Sequence, residues 1–147
     1  MEGLSTKGRY AARIMLRLAM QKDGTPLQVG KIAQMEQIAP LYIEQILIKL
    51  KQAQIVRSVR GAKGGYFLAR PAEEITVANI LEAAEGSVAL ARCMDDACVR
   101  ATGCATNRVW KQATEAMYKV FESITLARLA KDAEDLAAEN APASYEI

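Results

Sequence analysis

Cys93, Cys98 and Cys104 are the chain's three cysteines, gathered within twelve residues as C-x4-C-x5-C, and the chain has no histidine. An odd, clustered set without a secretory pattern argues against a disulfide framework and for metal or thiol chemistry. Thiolates are soft ligands that suit the four-coordinate iron of an iron–sulfur cluster, with zinc as the chemical rival. Structural zinc sites ask for four protein ligands, usually in paired C-x2–4-C arms, which this spacing lacks. The spacing matches neither common ferredoxin pattern, so it is no cluster signature by itself. A metal-free thiol switch is a third reading. Three inert buried thiols are the fourth, and they fit poorly beside Asp95, Asp96 and Arg100. Three cysteines can hold a [4Fe–4S] cube with one iron left open. A [2Fe–2S] rhomb needs a fourth ligand, for which Asn107 offers a weak amide oxygen and Asp95 or Asp96 a carboxylate. Without histidine, Ser–His and Cys–His catalysis are excluded. Lys63-Gly64-Gly65 is no phosphate loop. Neither an enzyme nor a small-molecule substrate is expected.

A second set of residues could bind a polyanion. The net charge of +2 hides an asymmetry: residues 1–70 hold 12 Lys/Arg against 4 Asp/Glu, and residues 71–147 hold 7 against 13. Residues 45–72 carry Lys49, Lys51, Arg57, Arg60, Lys63 and Arg70 and no carboxylate. Taken alone, such a cluster is more often a solvated face; in context it points to nucleic acid. Lys49, Arg57 and Lys63 are placed to reach phosphates. Gln45 can pair with adenine, and Glu44 can accept from cytosine N4 or simply pair with Lys49. Gly64 lies in a glycine turn that permits close backbone approach.

These residues need a frame. Tyr10, Ile14 and Leu18 mark an amphipathic helix over residues 6–21, with Arg9, Arg13 and Arg17 as a basic stripe beside it. A short helix over 29–35 offers Ile32, Ala33 and Met35 to a core. Pro40 suits the first turn of a helix over 40–53 that buries Ile43, Leu47 and Leu50. Two short helices so joined form the helix-turn-helix pattern, a weak signal alone. Alternation from Ile55 to Arg60, the turn Gly61–Gly65 and the run Tyr66–Ala69 then read as a β-hairpin. A hairpin directly after a recognition helix is the winged arrangement. Thr76 caps a helix over 77–84 that Gly86 ends. Trp110, Ala113, Met117, Val120 and Ile124, spaced 3, 4, 3, 4, make a coiled-coil seam that asks for a partner. A short last helix and a loose tail follow.

The expected fold is mainly α with a small β-hairpin: a winged helix-turn-helix plus a long dimerisation helix. The expected divisions are 1–85 for DNA binding, 86–106 for the cysteine segment, 107–137 for the dimerisation and last helices, and 138–147 for the tail. Met1 to Leu4 lead into a basic amphipathic stretch without the apolar region of a signal peptide. No apolar run reaches about 18 residues. A cytoplasmic chain with no membrane contact is expected.

Nearly the whole chain resembles the Rrf-two family of bacterial regulators and, within it, the iron–sulfur regulators of the IscR type. The resemblance rests on Leu4–Ala11 as the opening, Tyr42–Leu47 as the recognition helix and Ser58–Tyr66 as the wing, the last being highly specific. Cys93, Cys98 and Cys104 fall where cluster-binding members carry their cysteines. The resemblance implies a homodimer on a double-stranded DNA operator, with Tyr42 in the recognition helix, Ser58 at the wing base and Arg60 near the minor groove. It also favours [2Fe–2S]. IscR-type members place a histidine ligand where this chain has Asn107. A cluster-free member responding to thiol oxidation or a protein partner is the other reading within the family.

Overall fold

The computed structural model describes residues 4–91, 94, 98 and 102–140. Among these, the order is α1 (Thr6–Ala19), α2 (Val29–Glu36), α3 (Pro40–Gln52), β1 (Val56–Val59), β2 (Gly65–Leu68), α4 (Val77–Glu85), α5 (Ala105–Ser123) and α6 (Leu126–Glu139), with short 3-10 turns at Lys22–Gly24 and Ala72–Glu74.

Local chemistry sets the boundaries. Ser5 Oγ accepts from the Gly8 N–H at 3.1 Å and starts α1. Pro40 stands in the first turn of α3. That helix stops at Ala53: Gln54 turns left-handed at φ 59°, and the Ile55 N–H returns to the Leu50 carbonyl at 3.2 Å. Thr76 and Asn79 form a capping box for α4, each side chain accepting from the other's N–H, at 3.2 and 3.0 Å. Gly86 ends the helix at φ 88°.

The core gathers Ile14 and Met15 of α1, Ile32 of α2, Ile43, Ile46, Leu47 and Leu50 of α3, Ile55, Ile80 of α4, and Leu126. Each fully buried aliphatic side chain contributes roughly 1.5–3 kcal/mol. Met35, expected in this core, is instead 47% exposed; α2 buries only Ile32 and Glu36.

The hairpin is antiparallel, in register from Val56↔Leu68 to Val59↔Gly65. Leu27 bridges the other edge of β2, its N–H donating to Tyr66 O at 2.8 Å and its carbonyl accepting from Tyr66 N–H at 2.9 Å. That close approach demands glycine at 65. Its φ is 150°, and a Cβ there would lie 2.6 Å from the Leu27 carbonyl oxygen.

The C-terminal end differs from the sequence expectation. α6 is 14 residues long, reaches Glu139 and packs on α1. Ile124 leaves α5 in an extended conformation. Its carbonyl accepts from the Val77 N–H at 2.9 Å, and the Leu126 N–H donates to Ile75 O at 2.7 Å. This clasp removes Ile124 from the helical seam and buries Leu126 completely. Residues 141–147 of the expected tail lie outside the described residues.

Candidate functional site

The turn between α2 and α3 is held by α1. Glu36, the last residue of α2, is 5% exposed. Its carboxylate accepts from Arg13 Nε at 2.6 Å and from Arg17 Nε. Arg13 Nη2 also donates to the Glu36 backbone carbonyl at 2.8 Å, satisfying an acceptor that the helix end leaves open. Burial pushes the Glu36 carboxyl up, but hydrogen bonds and charges from Arg17 and Arg13 outweigh it and hold the group below its ordinary value. Gln37 then turns left-handed at φ 54°. The expected basic stripe on α1 is thus divided: Arg13 and Arg17 turn to Glu36, while Arg9 donates to Thr6 Oγ1 at 3.2 Å.

α3 presents Glu44, Gln45 and Lys49 to solvent. Tyr42 is half-buried, packed against the core, with its ring edge-on to Tyr10 at 5.8 Å. Leu41 and Ile48 are also outside, at 69% and 53% exposure.

The wing stands beside this helix. Arg57, Ser58, Arg60 and Lys63 are exposed. Ser58 Oγ accepts from Lys51 Nζ at 2.8 Å, joining the wing base to the end of α3. A groove of about 550 Å³ runs there, lined by Lys51, Arg57, Ser58 and Arg70. Gln28 Nε2 donates to the Ala62 carbonyl at 3.0 Å and steadies the tip. Gly64 is buried inside the tip: its N–H donates to Gly61 O at 2.9 Å, and a Cβ there would lie 2.3 Å from Val59 O. The glycine therefore closes the turn. Lys51 and Gln28 were missed as wing supports, because a sequence does not show contacts between distant residues.

The cysteine segment leaves α4 at Gly86 and enters α5 at Cys104. Cys93, Asp95, Asp96 and Arg100 lie outside the described residues. Cys98 and Cys104 are half-buried free thiols. Cys104 stands at the N-cap of the 19-residue α5. Its sulfur meets Thr106 Oγ1 at 3.1 Å. That contact and the backbone N–H groups of Asn107 and Thr106 outweigh desolvation and hold the thiol below its ordinary value. Asn107, Arg108 and Lys111 line the same cavity of about 450 Å³. Leu90 and Met94 meet Thr114 of α5, whose Oγ1 accepts from the Leu90 N–H at 3.3 Å and lies 3.4 Å from Met94 Sδ.

Contacts run on from α5 into the winged part. Tyr118 donates to Glu82 Oε1 of α4 at 2.7 Å, which pushes the Tyr118 pKa up to about 12. Glu85 of α4 accepts from Ser5 Oγ at 2.7 Å, at the start of α1. On its outer side α5 leaves Trp110 and Val120 at 42% and 56% exposure, with Ala113 and Met117 half-buried. No helix among the described residues is long and apolar enough to cross a membrane.

The chain matches the family described as Rrf2, iron-dependent transcriptional regulator, over residues 4–132. It is 36% identical over 132 residues to the protein rrf2 of Nitratidesulfovibrio vulgaris, covering 88% of each chain. It is 36% identical over 134 residues to the HTH-type regulator IscR of Vibrio atlanticus, covering 90% of this chain and 78% of that one. Among solved structures, IscR of T. potens superposes with a TM-score of 0.76 at 35% identity, covering 91% of this chain and 90% of the other. CymR, the global cysteine regulator of B. subtilis, gives 0.74 at 34% identity, covering 89% and 98%. With a helix-turn-helix, a basic hairpin after its second helix and these relatives, the chain belongs to the Rrf2 (Rrf-two) family and is a winged-helix DNA-binding transcriptional regulator, not an enzyme.

Proposed function

We propose that the chain acts as a dimer whose grip on its operator follows the state of an iron–sulfur cluster held by Cys93, Cys98 and Cys104. The observation that supports this most is the setting of Cys104. A metal-binding cysteine must be a thiolate, and the N-terminus of α5 with Thr106 favours that form. Cys98 is a second free thiol on the same segment, and half-buried Asn107 stands one turn from Cys104 with an amide oxygen to offer. The donor set therefore fits a cluster short of one strong ligand, whether [2Fe–2S] or [4Fe–4S]. When bound, the cluster supplies a group that iron supply, oxidants or nitric oxide can remove or alter.

The rest is work for the chain's own residues. Gln45 and Glu44 read base edges from α3, which Tyr42 seats on the core. Lys49, Arg57 and Lys63 neutralise phosphates. Arg60 reaches the minor groove from the wing tip that Gly64 closes, and Ser58 anchors the wing base through Lys51. Trp110, Ala113, Met117 and Val120 of α5 meet a second copy, which presents two α3 helices to half-sites roughly 34 Å apart. Tyr118–Glu82, Glu85–Ser5 and Arg13–Glu36 are three separate polar contacts, bridged by the bodies of α4 and α1, that lie between α5 and the recognition turn and support this coupling.

A second reading, a cluster-free thiol switch, draws on the likeness to CymR, one of whose solved structures, from Staphylococcus aureus, is of an oxidized form. The low-lying Cys104 thiol suits that chemistry too. Anaerobic purification with a visible spectrum and iron and sulfide assays separates the two. A coloured protein with iron and sulfide, lost in Cys104→Ala without loss of fold, is expected. A colourless wild type after anaerobic purification and cluster reconstitution would move the function to the thiol switch.

A further inference from the structure

The outward face of α3 is not wholly polar. Leu41, Gln45, Ile48 and Gln52 follow one another at helical spacing, opposite the buried Ile43, Ile46, Leu47 and Leu50. Leu41 and Ile48 are 69% and 53% exposed at the centre of that face. Lys49 and Lys51 flank it, and the exposed Arg57, Arg60 and Lys63 of the wing stand beside it. Charge complementarity therefore names the occupant as a polyanion, and an α-helix fits the major groove of B-form DNA. In that groove the one apolar feature on a base edge is the thymine C5-methyl group.

We propose that Leu41 and Ile48 are specificity-determining residues that read thymine methyl groups on either side of the base pair read by Gln45. This rests on the reading of α3 as the recognition helix. The two side chains lie seven residues apart, about 10 Å along the axis at 1.5 Å per residue. At roughly 3.4 Å per base pair, that spans about three steps. Gln45 between them is the side chain that pairs with adenine, so the geometry favours A·T pairs across the stretch. Leaving large apolar side chains in water at the centre of a DNA-facing surface gains nothing in the free protein; covering them with methyl groups does.

The test uses the full-length protein, purified anaerobically. Random duplexes are enriched on it, and each thymine of the selected sequence is replaced in turn by deoxyuridine, which deletes only the methyl group. At one or more thymines per half-site, the replacement is expected to weaken wild-type binding about fourfold, the worth of one buried methyl-sized group. Leu41→Ala and Ile48→Ala should keep the wild-type Tm, bind non-specific duplex as before, and no longer distinguish thymine from uracil at their own position. Equal binding of thymine and uracil duplexes by the wild type at every position would overturn the proposal while leaving α3 as the recognition helix. So would a uracil penalty that persists undiminished in both variants. Failure to enrich any sequence would strike the recognition-helix reading itself, and this proposal with it.

Discussion

Arg13 closes the end of the helix before the turn: its Nη2 donates to the Glu36 carbonyl at 2.8 Å while its Nε holds the Glu36 carboxylate at 2.6 Å. The angle between α2 and α3 is therefore fixed partly by a charge. The Glu36 carboxyl is depressed in the fold, so its contribution is fully present above the ordinary value near 4.5 and is lost as pH falls through the lower folded value. Thermal unfolding followed from pH 7 down to pH 3 should show wild-type stability falling through that window. Glu36→Gln should be about 1 kcal/mol less stable at pH 7, with a flatter profile, since the charged hydrogen bonds are lost while Arg13 and Arg17 keep access to solvent. A variant as stable as wild type at pH 7 would deny the pair its role.

Arg60 and Lys63 sit at the exposed wing tip. Each phosphate contact contributes about 0.9 to the slope of log K against log salt. Arg60→Ala and Lys63→Ala should each weaken operator binding and flatten that slope by about this amount if the contact is to phosphate. If Arg60 instead lies in a narrow minor groove, its loss should also relax preference for A·T steps. Unchanged affinity and slope in both variants would rule out this placement of the wing.

The outer side of α5 predicts a two-fold dimer. Trp110 and Val120 are exposed in the single chain, with Ala113 and Met117 between them. Covering such a seam is worth roughly 25 cal/mol per Å² of apolar surface. Sedimentation at micromolar concentration should give a dimer for wild type. Met117→Lys should raise the dimer dissociation constant at least about tenfold and weaken DNA binding with it. A monomeric wild type would contradict the arrangement.

Asn107 is one turn from Cys104, at the position where the resemblance to IscR-type members implies an imidazole. A weak amide ligand leaves a cluster labile, and imidazole is the better iron ligand. Asn107→His should prolong the lifetime of the visible absorbance in air and shift the spectrum toward [2Fe–2S]. An unchanged decay would separate Asn107 from the coordination sphere.

Much of this frame was legible because its causes are local. Pro40, the Thr76 cap, Gly86 and the glycines of the wing tip are short-range signals, and each stands at the boundary it marked. Cys104 was legible as chemistry, and the neighbour that tunes it, Thr106, is two residues away. What stayed hidden depends on distant partners. Arg13 and Arg17 read as a free basic stripe because Glu36 lies 23 and 19 residues off, respectively. Ile124 fits a helical seam by spacing, but the edge of Val77 competes for its carbonyl and pulls it out of the helix. Leu126 looked like part of a minor last helix, yet it is buried in the core of the winged part. Leu41 and Ile48 escaped notice because a search for a buried face counts apolar residues at the right spacing and passes over those on the opposite side.

A coupling of the cysteine segment to the recognition turn is what the proposed function requires, and two-site coupling is typically worth about 1–3 kcal/mol. The direct measurement is operator affinity of the cluster-loaded protein and of Cys98→Ala, side by side under strictly anaerobic conditions. Cys98→Ala should remain a folded dimer, lack the cluster, and bind at least one natural operator with an affinity about fivefold or more away from that of the loaded protein. Equal affinity on every operator tested would contradict the sensing role given to Cys93, Cys98 and Cys104.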